Sequence, residues 1–231
     1  MSKRTKNYLE KRARVEEEQY PIAQAVKLLK EMKKSNFDES VEISFRLGVD
    51  PKYPDQMVRG TVVLPHGTGK ETRVLAIVGE DLQEAAKKAG ADFVGKDDVV
   101  QKIEKEKWVD FDVLITTPDM MKYIGKLGKI LGPKGLMPSP KAGTVTKEVE
   151  TSIAEVKKGR MEFKVDKTGI VNAGIGKISF TDQQIEENIR EFSRAIQKAK
   201  PNALKGTYLK SMHVSTTMSP SVNIDLNTIE S

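Results

Sequence analysis

The hydrophobic pattern changes twice along this chain of 231 residues, and the changes separate two kinds of β-sheet. Residues 41–47 alternate between apolar and polar, which is typical of a strand with one face in the core and one in solvent. Residues 74–78 and 113–115 are instead continuous apolar runs, each followed by a helix-like segment, as in parallel strands buried on both faces. One-sided alternation returns after Gly159.

This order of patterns predicts two domains, one inserted into the other. A discontinuous α+β domain, with an antiparallel sheet and helices on one face, would comprise residues 1–69 and 159–231. An inserted three-layer α/β domain with a small parallel sheet would comprise residues 70–158. Glycines at both chain crossings favour a hinge, although tight turns are an equally good interpretation. The candidate hinge residues are Gly67, Gly69 and Gly159.

Helical spacing and end signals predict helices in both domains. Pro21 stands where a first helical residue would, and apolar residues follow it at helical spacing as far as Met32. Thr181 and Gln184 predict a capping box that opens a long helix, which ends before Pro201. The inserted domain has four helical candidates: residues 81–89, 98–108, 118–130 and 147–158.

Composition argues against several classes of function. The chain has no cysteine, so it has no disulfide framework and no thiolate nucleophile or metal ligand. With only His66 and His213, a histidine metal site or a catalytic triad is not expected. We therefore predict no metal and no cofactor. The basic, polar start of the chain and the lack of an apolar run of about 20 residues predict a cytoplasmic protein without a secretory signal or membrane span.

Positive charge is concentrated in one segment that is rich in glycine and proline. The net charge is only +6, yet residues 120–147 hold six lysines and no acidic residue. Glycines let the backbone of a partner come close, and the charge suits a polyanion such as nucleic acid. Residues 132–135 also fit the short G-x-x-G of KH loops, although the surrounding pattern does not read as KH. The candidate RNA contacts in this segment are Lys126, Lys129, Lys134 and Lys141.

Other glycine-rich segments do not fit nucleotide-binding motifs. Residues 67–70 are similar to a phosphate-binding loop, but that motif would need glycine where Leu64 stands and serine or threonine where Glu71 stands. Residues 174–176 lack the third glycine of a dinucleotide fingerprint. No cluster of carboxylates with a nucleophile or metal ligand stands out. The alternative function is that of an enzyme which acts on a phosphorylated small molecule in the inserted domain.

A second candidate site, residues 211–221, is rich in hydroxyl groups. It contains no acid and has a flexible apolar side chain in Met218. Hydroxyls and backbone groups can contact the 2′-hydroxyls and phosphates of a folded RNA, while Met218 could pack on a base or sugar. The alternative interpretation is a Ser/Thr-rich strand with Met218 in the core.

Motifs along nearly the whole chain resemble one protein family. The run at residues 126–144 is similar to the signature of the bacterial ribosomal proteins numbered one of the large subunit, which form the mobile stalk beside the transfer-RNA exit site. Further motifs resemble the family in family order: Asp50-Pro51, residues 58–61, residues 64–67, residues 166–169 and Thr216-Thr217-Met218. The resemblance implies a two-domain protein that is hinged through two strands.

The resemblance also implies binding partners. The split domain would bind a folded element of large-subunit ribosomal RNA. The inserted domain would move toward further RNA or exit-site tRNA and assist the release of deacylated tRNA. The free protein, a monomer, would repress translation of its own operon mRNA. Matching positions nominate these RNA-binding residues: Phe37, Ser40, Asp166, Lys167, Thr168, Ser211, Thr217, Met218 and Ser219.

Two positions depart from the family pattern. Asn36 stands where some members carry lysine, so one possible phosphate contact is missing. Ser219 stands where glycine is usual, and it would be strained if the loop required a positive φ or close contact of ribose with the α-carbon. We expect a mild penalty from the serine, so that Ser219→Gly would tighten RNA binding.

Overall fold

The structure is a computed structural model that describes residues 5–15, 19–202 and 204–229, with Lys141 described by its backbone alone. Its helices are α1 Lys6–Ala13, α2 Ile22–Glu31, α3 Glu80–Lys88, α4 Asp97–Glu106, α5 Met121–Ile124, α6 Gly128–Leu131, α7 Val149–Lys157 and α8 Asp182–Lys198. Its strands are β1 Ser40–Leu47, β2 Arg59–Val63, β3 Val74–Ile77, β4 Phe93–Gly95, β5 Val113–Thr116, β6 Arg160–Lys164, β7 Ile170–Lys177, β8 Leu209–Thr216 and β9 Val222–Ile224. The described chain divides into two compact units, the first running to Gly69 and resuming at Glu162, and the second running from Lys70 to Met161.

The first unit contains a four-stranded antiparallel sheet in the order β7-β1-β8-β9. Along β1 every second side chain is buried, and α2 and α8 pack against the sheet. Strands β2 and β6 form a separate pair. The predicted one-sided alternation at residues 41–47 is confirmed: its buried members are Val41, Ile43, Phe45 and Leu47.

Helix α8 packs against β7 of this sheet and against β2. Gln184 donates its amide to Thr181 Oγ1 at 3.3 Å, and the Thr181 amide donates to Gln184 Oε1 at 2.9 Å. The predicted capping box is therefore confirmed, and such a cap contributes about 1 kcal/mol. Phe192 packs against Phe45 with ring centroids 5.9 Å apart. The buried apolar stripe of α8 consists of Ile185, Ile189, Phe192 and Ile196.

The second unit contains a three-stranded parallel sheet in the order β4-β3-β5. Every residue of β3 is buried, because one apolar cluster contains Leu75 and Ile77 and another contains Val74 and Ala76. This arrangement explains the continuous apolar run in the sequence, and the predicted small parallel sheet is confirmed. Strand β4 has no counterpart in the sequence prediction, because three residues are too few to show a pattern.

Three local features differ from the sequence prediction. The helix expected at residues 118–130 is instead a series of short α-helical and 3-10 segments. Its glycines Gly125 and Gly128 weaken helix propagation by about 1 kcal/mol each relative to alanine. Pro21 lies before α2 as its N-cap rather than as its first residue. Helix α1 was not expected, because half of its residues are charged and its sequence carries no apolar stripe.

No helix in the described ranges is both long enough and apolar enough to cross a membrane. Among the same residues, histidine and acidic side chains form no group of three or more that could hold a metal ion. The expectation that the chain binds no metal stays a prediction.

Candidate nucleic-acid interface

Five of the nine candidate residues lie where β1 begins and β8 ends. Residues 35–40 lead up to and include the first residue of β1, and residues 216–219 comprise the last residue of β8 and the turn after it. We call these two segments together the first end of the sheet. The Ser40 amide donates to Thr217 Oγ1 at 3.1 Å, and the Thr217 amide donates to the Ser40 carbonyl at 3.2 Å. These bonds bring together Phe37, Ser40, Thr217, Met218 and Ser219.

A buried carboxylate, that of Glu39, organises the first end. Glu39 is fully buried, and its Oε1 accepts a hydrogen bond from Ser35 Oγ at 2.5 Å. Its Oε2 accepts one from Thr216 Oγ1 and one from the Met218 amide, the latter at 3.1 Å. Burial, the largest single influence, raises the pKa of Glu39, but these donors and the charge of Lys11 together bring it below its ordinary value. The turn is therefore built around an ionised carboxylate.

Helix α1 contacts the same turn through Lys11. Lysine is almost never buried without a partner, yet Lys11 is only 4% exposed, and its Nζ donates to the Met218 carbonyl at 2.9 Å. Because Glu39 holds the Met218 amide, both backbone groups of Met218 are fixed. Sequence reasoning missed Glu39 and Lys11, since their partners in the turn lie 177 to 207 positions away in the chain.

Ser219 has a structural role within the turn. Among the described residues only Lys107 combines a side chain with a positive φ, so the backbone strain considered for Ser219 is absent. The Ser219 hydroxyl accepts a hydrogen bond from the Thr216 amide at 2.8 Å and donates one to the Pro220 carbonyl at 3.0 Å. The serine therefore satisfies backbone groups that a glycine would leave without this partner.

Three other candidates form the tight turn before β7, which we call the second end of the sheet. Asp166 Oδ1 accepts hydrogen bonds from the Thr168 amide at 2.8 Å, from Thr168 Oγ1 at 2.6 Å and from the Ile170 amide at 2.9 Å. These bonds, with the Thr168 hydroxyl first, lower the pKa of Asp166. Gly169 has a φ of +80°, which a side chain would disfavour. The turn leaves Lys167 exposed between its fixed neighbours.

The two ends lie at opposite ends of β1. In the pairing register Ser40 faces Lys177 of β7, whereas Arg46 faces Ile170, next to the second end. Ser211 of β8 pairs with Arg46 and therefore belongs to the second end. An eight-residue strand separates its ends by roughly 23 Å at about 3.3 Å per residue. The structure thus places the nine candidates in two groups rather than one.

The sheet face between the two ends is polar. It is lined by the side chains that alternate with the buried ones. Ser44 of β1 lies opposite Asn172 of β7 on one side and His213 of β8 on the other. Ser44 Oγ donates to Asn172 Oδ1 at 2.7 Å. Burial lowers the pKa of His213, and its Nδ1 is buried with no hydrogen-bond partner. We call this surface the open face, and it also includes Glu42, Arg46 and Ser215.

The candidate lysines of the second unit lie on its irregular segment. Lys126 lies in a 3-10 turn, Lys129 in α6 and Lys134 in the loop that follows, and all three are exposed. The backbone of Lys141 lies in a further 3-10 turn, Pro140–Ala142, and its side chain is outside the described part of the structure. The buried residues of this segment, such as Ile124 and Leu131, pack into one core cluster and leave the lysines outward.

The candidate hinge glycines each have a positive φ: +65° at Gly67, +68° at Gly69 and +106° at Gly159. The Gly67 carbonyl accepts a hydrogen bond from Asn188 Nδ2 at 3.0 Å. A Cβ at Gly69 would lie 2.7 Å from a side-chain carbon of Lys177. These contacts give Gly67 and Gly69 fixed local roles in the first unit, and a role of the three glycines in domain motion stays a prediction.

The family of this chain is shown by its similarity to known proteins. The profile of the ribosomal protein L1p/L10e family matches residues 29–220, which include both ends of the sheet and the whole second unit. The chain belongs to this family. The resemblance inferred from the motifs is therefore confirmed. Because the family is structural and non-enzymatic, the chain is not an enzyme, and the alternative of an enzyme acting on a phosphorylated small molecule is wrong.

The similarity to individual proteins extends over almost the full chain. It is 54% identical to the large ribosomal subunit protein uL1 of Persephonella marina, covering 99% of this chain and 96% of that protein. It is 53% identical to the uL1 of Solibacter usitatus, with coverage of 95% and 93%. The uL1 of Flavobacterium psychrophilum is also 53% identical, with coverage of 97% and 98%.

Proposed function

We propose that the first unit binds a folded element of large-subunit ribosomal RNA along the open face of its antiparallel sheet. Membership of a structural ribosomal family and similarity to large-subunit proteins support a place in the large subunit. The observation that carries the proposal is the arrangement of the nine candidates at the two ends of one sheet, with a polar surface between them. An RNA lying along β1 would contact both ends at once.

The two ends offer RNA different contacts. At the first end Phe37 and Met218 are 50% and 57% exposed, so they present apolar surface on which a base or ribose can pack. The fixed backbone around Thr217 supplies hydrogen-bonding groups. At the second end Lys167 offers a point charge to a phosphate, and Thr168 a hydroxyl group. The first end would read RNA shape, and the second would hold its backbone.

The charge distribution supports the same assignment. Residues 70–158 contain sixteen basic and fifteen acidic side chains, which leaves that segment a net charge of +1. The rest of the chain therefore carries +5 of the total of +6. A positive unit attracts a polyanion over a distance before any specific contact forms.

For the second unit we propose a secondary RNA contact that reaches exit-site tRNA and assists the release of deacylated tRNA. Support comes from the exposed Lys126, Lys129 and Lys134 on a segment without acidic residues. The two units would act as separate domains, and the crossings that contain Gly67, Gly69 and Gly159 would allow their relative movement. The tRNA contact would be electrostatic, so it would weaken steeply with salt.

We further propose that the free chain is a monomer that binds its own operon mRNA and represses its translation. The resemblance described above supports this role. The mRNA would occupy the same two ends of the sheet as the ribosomal RNA, so the two RNAs would compete. Competition binding with the two RNAs would test the shared surface, and analytical ultracentrifugation would test the monomeric state.

The central test is binding of the full chain to purified large-subunit ribosomal RNA, with small-subunit ribosomal RNA as the control. We expect a preference of at least about a hundredfold and a logarithm of affinity that falls linearly with the logarithm of salt concentration. Nuclease digestion of the complex should leave one protected, folded fragment. Equal affinity for both RNAs, or protection spread over many fragments, would contradict the proposal.

A further inference from the structure

A cavity of about 390 Å³ lies between α1 and the turn at the first end. It is lined from three separate stretches of chain, which include Tyr8 and Lys11 of α1, Lys34 after α2, and Thr217 and Met218 of the turn. Its volume is within the range of pockets that hold small ligands, roughly 300 to 1,000 Å³. The cavity is therefore large enough for one nucleotide.

The walls of the cavity combine aromatic, apolar and basic groups. Tyr8 is partly exposed, and the flexible side chain of Met218 is 57% exposed. Lys34 is exposed and pairs with Glu10 at 2.8 Å, an ion pair of the surface type that contributes little to stability. None of the described residues that line the cavity carries a carboxylate. An anion could thus replace Glu10 as the partner of Lys34.

The attachment of α1 gives a second, independent observation. Of the eight residues of α1, Lys11 alone is buried, so the helix adds no apolar side chain to the core. Its bond to the Met218 carbonyl instead fixes it to the RNA-binding turn. Helices are normally held in place by an apolar face, and α1 is held by a polar contact to the functional turn.

We propose that this cavity holds one unpaired nucleotide of the bound RNA, with its base against Tyr8 and Met218 and its phosphate at Lys34. Base stacking on an aromatic ring and a lysine beside the phosphate are the contacts that single-stranded nucleotides use in proteins. The proposal rests on the proposed function and adds α1, which lies outside the matched family region of residues 29–220, to the RNA-binding site.

The first measurement uses the full chain and the ribosomal RNA fragment that it protects from nuclease. Tyr8→Ala should weaken binding roughly five- to a hundredfold, the range for one lost base stack, whereas Tyr8→Phe should bind like the unmodified chain. Lys34→Ala should reduce the salt slope by about one ion. The control Lys27→Ala, at an exposed lysine of α2, should leave the slope unchanged. Unchanged urea midpoints would exclude a loss of folding.

The second measurement removes the bases of the fragment's unpaired nucleotides one at a time. At one position, removal of the base should weaken binding to the unmodified chain several-fold. Removal of the same base should not weaken binding to the Tyr8→Ala variant, because that variant has already lost the stacking contact. The absence of such a position, or an affinity of Tyr8→Ala equal to that of the unmodified chain, would overturn the nucleotide site. If Thr217 variants still lost affinity in that case, the proposed function would stand without this inference. Failure of the unmodified chain to bind any ribosomal RNA would overturn the proposed function and this inference together.

Discussion

The two ends of the antiparallel sheet are built in opposite ways. At the second end the side chain of Asp166 bonds to groups two and four positions further along the chain, so the turn is determined by its own sequence. At the first end Glu39 bonds to Thr216 and Met218, which lie 177 and 179 positions away. The second end is therefore a local structure, whereas the first end forms only when the two distant parts of the first unit have assembled.

This difference implies that the RNA binding proposed for the first end depends on folding of the whole first unit. A local turn keeps its shape when a distant contact is lost, because its hydrogen bonds close short loops of chain. A turn held by a buried carboxylate loses several bonds at once when the carboxylate is removed. Substitutions at the two ends should therefore differ in their effects on stability and on affinity.

The largest effect is expected from Glu39→Ala. It removes the acceptor of three hydrogen bonds from a buried site, so it should lower the free energy of unfolding by about 2–4 kcal/mol and weaken RNA binding. Urea unfolding and RNA binding of the full chain would measure both. The matched control is Glu31→Ala, at an exposed carboxylate of α2 in the same unit, which should change stability by less than about 0.5 kcal/mol. Similar losses for both variants would contradict the role assigned to Glu39.

The next effect separates the contacts of the two ends. Thr217→Val leaves the Ser40 amide without its acceptor and removes the hydroxyl group proposed to contact RNA, so affinity should fall by roughly 1–3 kcal/mol without a change in salt slope. Lys167→Ala should lose less affinity, about 1 kcal/mol, but should reduce the salt slope by about one ion. Salt titrations of both variants measure the difference.

Lys198→Ala, at an exposed lysine of α8, is the control for a general charge effect. Equal slope changes for Thr217→Val and Lys167→Ala would remove the distinction.

The same contrast explains how much of the molecule could be predicted. The alternation along β1, the apolar run of β3 and the capping box of α8 are local patterns, and the structure confirms each. The second end is also visible as the sequence Asp166 to Gly169. In contrast, no local pattern indicates that the buried carboxylate of Glu39 or the buried amine of Lys11 holds the turn. Their roles depend on partners that the fold brings together from distant positions.

A smaller effect is expected from lowering the pH. Because the folded protein lowers the pKa of Glu39 below its ordinary value of 4.5, ionised Glu39 stabilises the folded state at pH values above that. This contribution should disappear as the pH falls from about 4.5 through the lower, folded-state pKa. Glu39→Gln should lack this part of the acid dependence, which urea unfolding at a series of pH values would show. If the free energy of unfolding of Glu39→Gln and of the unmodified chain depended on pH in the same way, ionisation of Glu39 would not stabilise the folded state.

The smallest effect is expected from Ser219→Gly, and its direction differs from what the family pattern alone suggests. Glycine would relieve strain only if Ser219 had a positive φ, and it does not. The substitution instead removes the acceptor of the Thr216 amide and increases the conformational entropy of the unfolded chain. Together these changes should lower the free energy of unfolding by about 0.5–1 kcal/mol. RNA affinity should fall by no more than a few-fold, with an unchanged salt slope because no charge is altered. Tighter binding by the glycine variant would mean that ribose approaches the α-carbon of residue 219 more closely than the serine side chain permits.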